Sequence, residues 1–470
     1  MRMRPINGPV LAALLSCLLA GSSGGKAQDG QQPNGDVKAE FEKRLTEVRA
    51  RASGFHRSLA RWLGRKGMNE WALKQWDRAI ELDPDAAKHK PERESWTNRP
   101  KGQMREIWLE LEAELQNETS KKVAGEYAAL AKWASGKELA AEAGKAWAWA
   151  IEYDTENAEA RAALKHVKFE GRWHDPGQQA VQKIFSDHSK VDTGKPIEDR
   201  TAAERALDKD LNGRRSEHIV IEADFLNQDQ LAKCVEAGER TYRVYEALFG
   251  PTPGAKDFVA KHLAVESQKD YEALIDALHN HSGFNKEAQK QQTAAWLDTD
   301  LQIMKVSADF PALAVEGHVH FTVEMLLGLH ASSLRPWIYE GIAFYFVERR
   351  SRSAGWRCFG GSGTTIGRDF SGSFDWRAST KALVRLGVDP TPEAILRGDA
   401  NDLNTERSLK MWSYIDFILA AHRPQAPSLI LAMKAEPKSD KEDEAVFKKA
   451  LGVSVSDFDA AWRNWVLTTY

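Results

Sequence analysis

Apolar residues recur at three-to-four spacing along most of this 470-residue chain, the period of an amphipathic helix. The clearest instance is a self-similar pair. LARWLGRKGMNEWALKQWDRAIELDPDAA, from Leu59, aligns without gaps onto LAKWASGKELAAEAGKAWAWAIEYDTENA, from Leu130. Trp62 pairs with Trp133, Trp76 with Trp147, Ile80 with Ile151, Glu81 with Glu152 and Asp83 with Asp154, at an offset of 71 residues. Each copy predicts a helical hairpin. Pro84 stops the first, because its ring blocks helix continuation. Between the copies, Trp108, Leu109, Leu111 and Leu115 predict another amphipathic helix. A segment at 163–176 closes the region; His166 and His174 lie in it without a partner at ligand spacing.

The period then changes. Residues 177–215 are polar and charged, and read as a connecting helix and linker. Ser216 to Ala223 is rich in β-branched residues and predicts a strand. A helix follows from about Gln228 to Phe249, ended by Gly250-Pro251. Lys261 to Glu266 predicts a second strand, Lys269 to His279 a helix, and Trp296 to Val306 further strands. Beyond this small α+β lobe the pattern is helical almost to the end. The fold class expected is therefore mainly α with a small α+β lobe. Helical-hairpin repeats occupy 41–176, and a second domain occupies 216–470.

The chemistry concentrates in AVEGHVHFTVEMLLGLHASSLRPWIYEGIAFYFVER, residues 314 to 349. Two histidines sit on an apolar helix, followed by a Glu-Gly pair on a second one. Pro336-Trp337-Ile338-Tyr339-Glu340-Gly341-Ile342-Ala343-Phe344-Tyr345 resembles the P-x-W-L-x-E-G-x-A-x-Y segment of the peptidase MA-like (gluzincin) family, where that Glu is the third zinc ligand. The resemblance covers roughly residues 216–470. It extends to Phe447 through Val466, which resembles the end of such bacterial secreted domains. In that family an HExxH helix supplies two histidines, four residues apart on one face, and a Glu that activates the zinc-bound water.

Here the helix departs from the pattern, and two registers stay open. In one, His318 takes the first ligand place, Val319 replaces the catalytic Glu and Thr322 the second His. In the other, Glu316 replaces the first His, Gly317 the catalytic Glu, and His320 is the second ligand, with 19 residues between it and Glu340. Neither Val nor Gly accepts a proton, so no catalytic residue is assigned. Glu316, His318, His320 and Glu340 are the candidate metal ligands. His318 and His320, two apart on a helix, cannot share one ion, whereas Glu316 and His320 can. Zinc at a Glu-His-Glu site, with a base such as Glu316 or Glu324, is one outcome of the resemblance; a cleft without any metal is the other. His330 is a further candidate ligand. Relatives often carry an oxyanion-stabilising Tyr where Ser408 stands, with Tyr414 close by in a different register.

The close of the first repeat, Ala-Ile-Glu-Leu-Asp-Pro, resembles that of a tetratricopeptide repeat, and the offset of 71 is near two such periods. The resemblance implies a protein- or peptide-binding scaffold. Sixteen tryptophans, nine of them before residue 175, read as helix-packing anchors. A net charge of −3 gives no field favouring nucleic acid.

Residues 1–27 have the pattern of a secretory signal: Met-Arg-Met-Arg, an apolar run from Val10 to Ala20, then small residues. Residues 28–40 follow as a linker. The expectation is an exported protein, periplasmic or extracellular, without an integral membrane segment after cleavage. Leu14-Leu15-Ser16-Cys17 also resembles a lipoprotein box. After cleavage Cys234 and Cys358 remain, and sequence does not say whether they pair. Gly360 to Thr365 lacks a phosphate-loop Lys and reads as a loop over the cleft, with Trp356, Arg357 and Trp376 nearby.

Overall fold

Phe41, Leu45, Val48, Ala52, Phe55, Leu59 and Leu63 follow at three-to-four residue steps and are all buried. A stripe of that pitch is what a helix turns inward, and it forms the inner face of α1 (Gly35–Arg65). The computed structural model describes residues 35–83, 85, 90–94, 96, 108–253, 258–283, 285–331, 334–351, 375–398, 403–433 and 440–470. The signal-like segment with Cys17, most of the linker, Pro84, Trp356, Arg357, Cys358 and the Gly360–Thr365 loop lie outside the described residues. The protein is mainly helical with a small mixed sheet. No helix among the described residues is long and apolar enough to cross a membrane.

The chain divides into two compact units. The first comprises residues up to Asp175, with Lys381–Val388 and Asp459–Tyr470. In it α1 pairs with α2 (Asn69–Leu82), and α3 (Glu118–Gly136) with α4 (Ala140–Tyr153). The two hairpins turn alike. Gly67 has φ 79° and Glu138, 71 residues on, φ 62°. Met68 and Leu139 then start the second helices at φ/ψ of −82°/59° and −86°/64°. A left-handed conformation is free for Gly67 but costs Glu138 about 1 kcal/mol. Polar pins hold the returning segments. Lys381 Nζ donates to the carbonyls of Ile151 and Tyr470, both at 2.9 Å. Arg161 reaches the carbonyls of Thr468, Thr469 and Tyr470. A small hairpin, β1 (Val167–Phe169) and β2 (Arg172–His174), completes this unit.

The second unit, Pro176–Thr380 with Asp389–Phe458, contains a six-stranded sheet. Its strands are β3 (Lys195–Pro196), β4 (Asn212–Arg215), β5 (Ile219–Ala223), β6 (Ala260–Val265), β7 (Ala294–Trp296) and β8 (Leu301–Lys305), in the order β3-β4-β5-β6-β8-β7. β5, β6 and β8 run parallel and the other pairings are antiparallel. Parallel neighbours need a crossover. Between β5 and β6 it is α5 (Gln228–Phe249), opened by an Asn227–Gln230 capping box and closed at Gly250, φ 89°. The polar stretch 177–215 is part of this architecture: a helix spans Pro176–Asp187, and its last residues supply β3 and β4.

Three further helices position the site. α6 (Pro311–His330) starts with Pro at its first turn and is buried at every residue from Glu316 to Leu327. It packs on α5 and α7 (Pro336–Ser351), and α7 packs on α8 (Thr405–Ala421). A Cβ on Gly341 would stand 3.1 Å from the Met411 carbonyl oxygen. The glycine therefore sets how closely α7 and α8 approach.

One buried histidine ties the first unit together. His56 on α1 contacts Gln75 Oε1 through Nδ1 at 2.7 Å and the Tyr153 hydroxyl through Nε2 at 2.9 Å. Gln75 Oε1 only accepts, so Nδ1 carries the proton and the Tyr153 hydroxyl donates to Nε2. Burial first, then the charge of Arg78, lowers the His56 pKa from 6.5 to about 3, against the Gln75 hydrogen bond that raises it. A folded-state pKa below the unfolded one means the unfolded chain takes up the proton first. This stability is complete above pH 6.5 and is lost as the pH falls from 6.5 towards 3, by up to about 1.4 kcal/mol per pH unit. Urea midpoints measured from pH 7 to pH 4 should fall, and the fall should be shallower in His56→Asn, which keeps a donor and an acceptor without titrating.

Candidate functional site

α6 carries His318 and His320 about 200° apart, since each residue advances about 100°. One face turns to the sheet. There His318 meets His262 of β6, ring centroids 4.8 Å apart at 69°, and Thr322 Oγ1 lies 3.2 Å from His262 Nε2. His318, Thr322, His262 and Gln302 are all 0% exposed. Burial, then the neighbouring His262, holds the His318 pKa well below 6.5, so the ring is neutral. Among the described residues neither of its ring nitrogens has a hydrogen-bond partner.

The opposite face turns to α7. His320 Nε2 lies 3.4 Å from Glu324 Oε1, one helical turn along, and 3.5 Å from Glu340 Oε2 of α7. The three side chains are 0–1% exposed. They form the one group of three His, Cys, Asp or Glu side chains, among the described residues, with ligand atoms within 4.8 Å of one another. The Tyr339 hydroxyl donates to the Glu324 carbonyl at 3.0 Å and ties α7 to α6 beside the group. Burial alone would lower the His320 pKa, but Glu324, Glu340 and Glu316 outweigh it and the net shift is upward.

These contacts sort the residues expected from sequence. His320 and Glu340 come together. His318 does not join them; it faces the sheet with Thr322, so the register built on those two directs its ligands away from Glu340. Glu316 is buried and near enough to act on His320 electrostatically. The third member of the compact group is Glu324. Both glutamates stand four residues from His320, one on each side, and spacing alone does not choose between them.

The remaining candidates lie in other contacts. His330 Nδ1 meets the Tyr245 hydroxyl at 3.0 Å. The Ser408 hydroxyl donates to the carbonyl of Asn404, the residue that caps the start of α8. Tyr414 packs edge-on against Trp337 and Phe458. Trp376 is buried and packs against Phe344 and Trp412. In the first unit Arg161 donates to His166 at 2.8 Å. Cys234 is buried in α5, its thiol pushed up to about 12 by burial.

The separations at His320 bear on what the group can hold. A charge-assisted N–H···O bond closes to about 2.7–2.9 Å. Two donor atoms on one tetrahedral zinc, with bonds of about 2.0–2.1 Å, stand about 3.3–3.4 Å apart. The 3.4 and 3.5 Å separations are long for the first and fit the second. A buried His-Glu-Glu group of this spacing can hold a divalent cation without moving far. No protein-family model matches the sequence, and no curated protein matches it.

The two histidines should respond differently to replacement. His318→Leu, which removes ring nitrogens without hydrogen-bond partners, should change stability by less than about 1 kcal/mol. His320→Leu leaves Glu324 and Glu340 facing an apolar side chain and should cost about 3 kcal/mol or more. Urea unfolding of both variants at pH 7 checks the division; equal losses would contradict it.

Proposed function

We propose that residues 216–470 form a gluzincin-like domain that has lost hydrolysis and kept a cation site, and that residues 41–176 are tetratricopeptide-like repeats that bind protein or peptide. The observation that carries the reading is the His320–Glu324–Glu340 group, buried and spaced for an ion. His320 Nε2 and one oxygen from each glutamate would hold it, and zinc or another first-row divalent cation suits the mixed nitrogen and oxygen donors. An imidazolium sets one positive charge against the two carboxylates, whereas a divalent ion sets two and neutralises the set.

What the group lacks is a hydrolytic partner. Val319 and Gly317 stand where the two registers place the water-activating Glu, and neither takes a proton. The bound ion would polarise whatever reached it, but side chains 0–1% exposed leave no approach for a peptide. The ion's role in this reading is structural: it fixes α6 against α7. The N-terminal pattern adds export to the proposal.

Elemental analysis of the purified full-length chain, with chelator challenge and a peptide-library digest, tests it. Expected are about one equivalent of a divalent metal per chain, an unfolding midpoint lowered by chelator, and no chelator-sensitive cleavage. Metal below about 0.1 equivalents removes the cation site from the proposal. Cleavage that chelator abolishes overturns the loss of hydrolysis.

A further inference from the structure

A cavity of about 160 Å³ opens where α1, α2, α3 and α4 converge. Three positions of each helical hairpin line it, each pair 71 residues apart: Arg78 and Trp149, Glu81 and Glu152, Leu82 and Tyr153. Corresponding positions of the two sequence copies thus face one space, and their chemistry has diverged at two of the three. Arg49 of α1 and Tyr127 of α3 complete the lining.

The charges in it are unequally committed. Arg78 Nη1 donates to Glu81 Oε2 at 3.1 Å. Burial opposes the Arg78 charge, but Glu152, Tyr153 and Glu81 more than compensate and hold it above the ordinary arginine range. Arg78 is therefore paired with Glu81, while Glu152 acts on it through charge without an ion pair. Arg49 is different. Its guanidinium lies over the Trp149 ring, 5.5 Å from the centroid, and it makes no hydrogen bond or ion pair among the described residues. A guanidinium stacked on an indole keeps its in-plane N–H donors for a partner, and the planar group they match in pairs is a carboxylate. The same stacking covers the Trp149 face that an incoming cation would need. Tyr127, with its ring 5.5 Å from that of Trp149 and 5.7 Å from that of Tyr153, adds a flat apolar wall. At about 30 Å³ per water the cavity has room for about five waters, the size of a carboxylate with one or two methylenes.

We propose that this cavity is a recognition site for an acidic side chain, Asp or Glu, presented by a partner peptide, with Arg49 as the residue that pairs with it. The proposal rests on the reading of the first unit as a peptide-binding scaffold and supplies its ligand class. A free carboxylic acid offers the same chemistry, and the test separates the two sources.

The probes are N-acetylated, C-amidated Ala-Glu repeat peptides, their Ala-Gln and Ala-Lys counterparts, and sodium propionate, titrated into the full-length protein by calorimetry at low salt. The Glu peptide should bind at least about tenfold tighter than the Gln and Lys peptides and than propionate, and should weaken at 0.5 M salt. Arg49→Gln should remove about tenfold or more of that affinity, and Trp149→Leu should weaken it as well. Arg49 is only partly buried, and an unchanged urea midpoint confirms that Arg49→Gln folds. Propionate binding as tightly as the Glu peptide overturns the peptide source. Glu-peptide binding unaffected by Arg49→Gln overturns the site. Preferential binding of the Gln or Lys peptide overturns the acidic ligand while leaving the scaffold reading intact, and binding of no peptide overturns both.

Discussion

A helix turns by about 100° per residue, and the arrangement around α6 follows from that constraint. Residues two apart face opposite ways, residues four apart face the same way, and no side-chain rotation exchanges the sets. His318 is committed to the sheet and His320 to α7. Because α6 is covered from Glu316 to Leu327, neither histidine can be satisfied by bulk water. Each takes its charge state from what its own face supplies. The sheet face supplies a second imidazole, a hydroxyl and an amide, none of them charged, and His318 stays neutral. The α7 face supplies carboxylates, and His320 is pushed toward its charged form.

Burying carboxylates is expensive, several kcal/mol per ion even after relaxation, unless a counter-charge is close. This explains why the acidic groups gather on one side of α6 and not around it. Glu324 and Glu340 come from different helices and reach the same imidazole nitrogen, so the packing of α6 on α7 brings both carboxylates to His320. The neighbouring contacts favour a fixed geometry. Tyr339 donates to the Glu324 carbonyl, and Gly341 lets α8 approach behind α7.

Much of this was legible in the sequence, for physical reasons that differ from part to part. The apolar stripe from Phe41 to Leu63 and the span of α5 from Gln228 to Phe249 show as periodicity and capping residues, which act locally. The matched turns at Gly67 and Glu138 appear in the gap-free alignment, because the offset of 71 carries one turn onto the other. The pairing of His320 with Glu340 was signalled by the Glu-Gly motif. The choice of Glu324 over Glu316 was not, since the two are equivalent by spacing and only the position of α7 along α6 distinguishes them. β3 and β4, two and four residues long in a polar stretch, are too short for an alternating pattern to register. Membership of Lys381–Val388 in the first unit depends on contacts such as Lys381 to Ile151, more than two hundred residues away in sequence.

The closure of the site around His320 governs what its charged groups can do. The rings of Phe321 and Phe344 stand edge-on to His320 at 5.5 and 5.6 Å, and Val319 is 1% exposed on the same helix. Apolar groups in these places exclude water, and a lower local dielectric strengthens every attraction among the imidazole, the carboxylates and a cation. Hydrolysis asks for the reverse: an open coordination position, a water in it, and a base that can be recharged from solvent. A carboxylate at 319, where the side chain is buried, would have to be desolvated, and its charge would need compensation that a valine never demands. Surroundings that would favour holding an ion here are therefore ones that would disfavour hydrolysis at it.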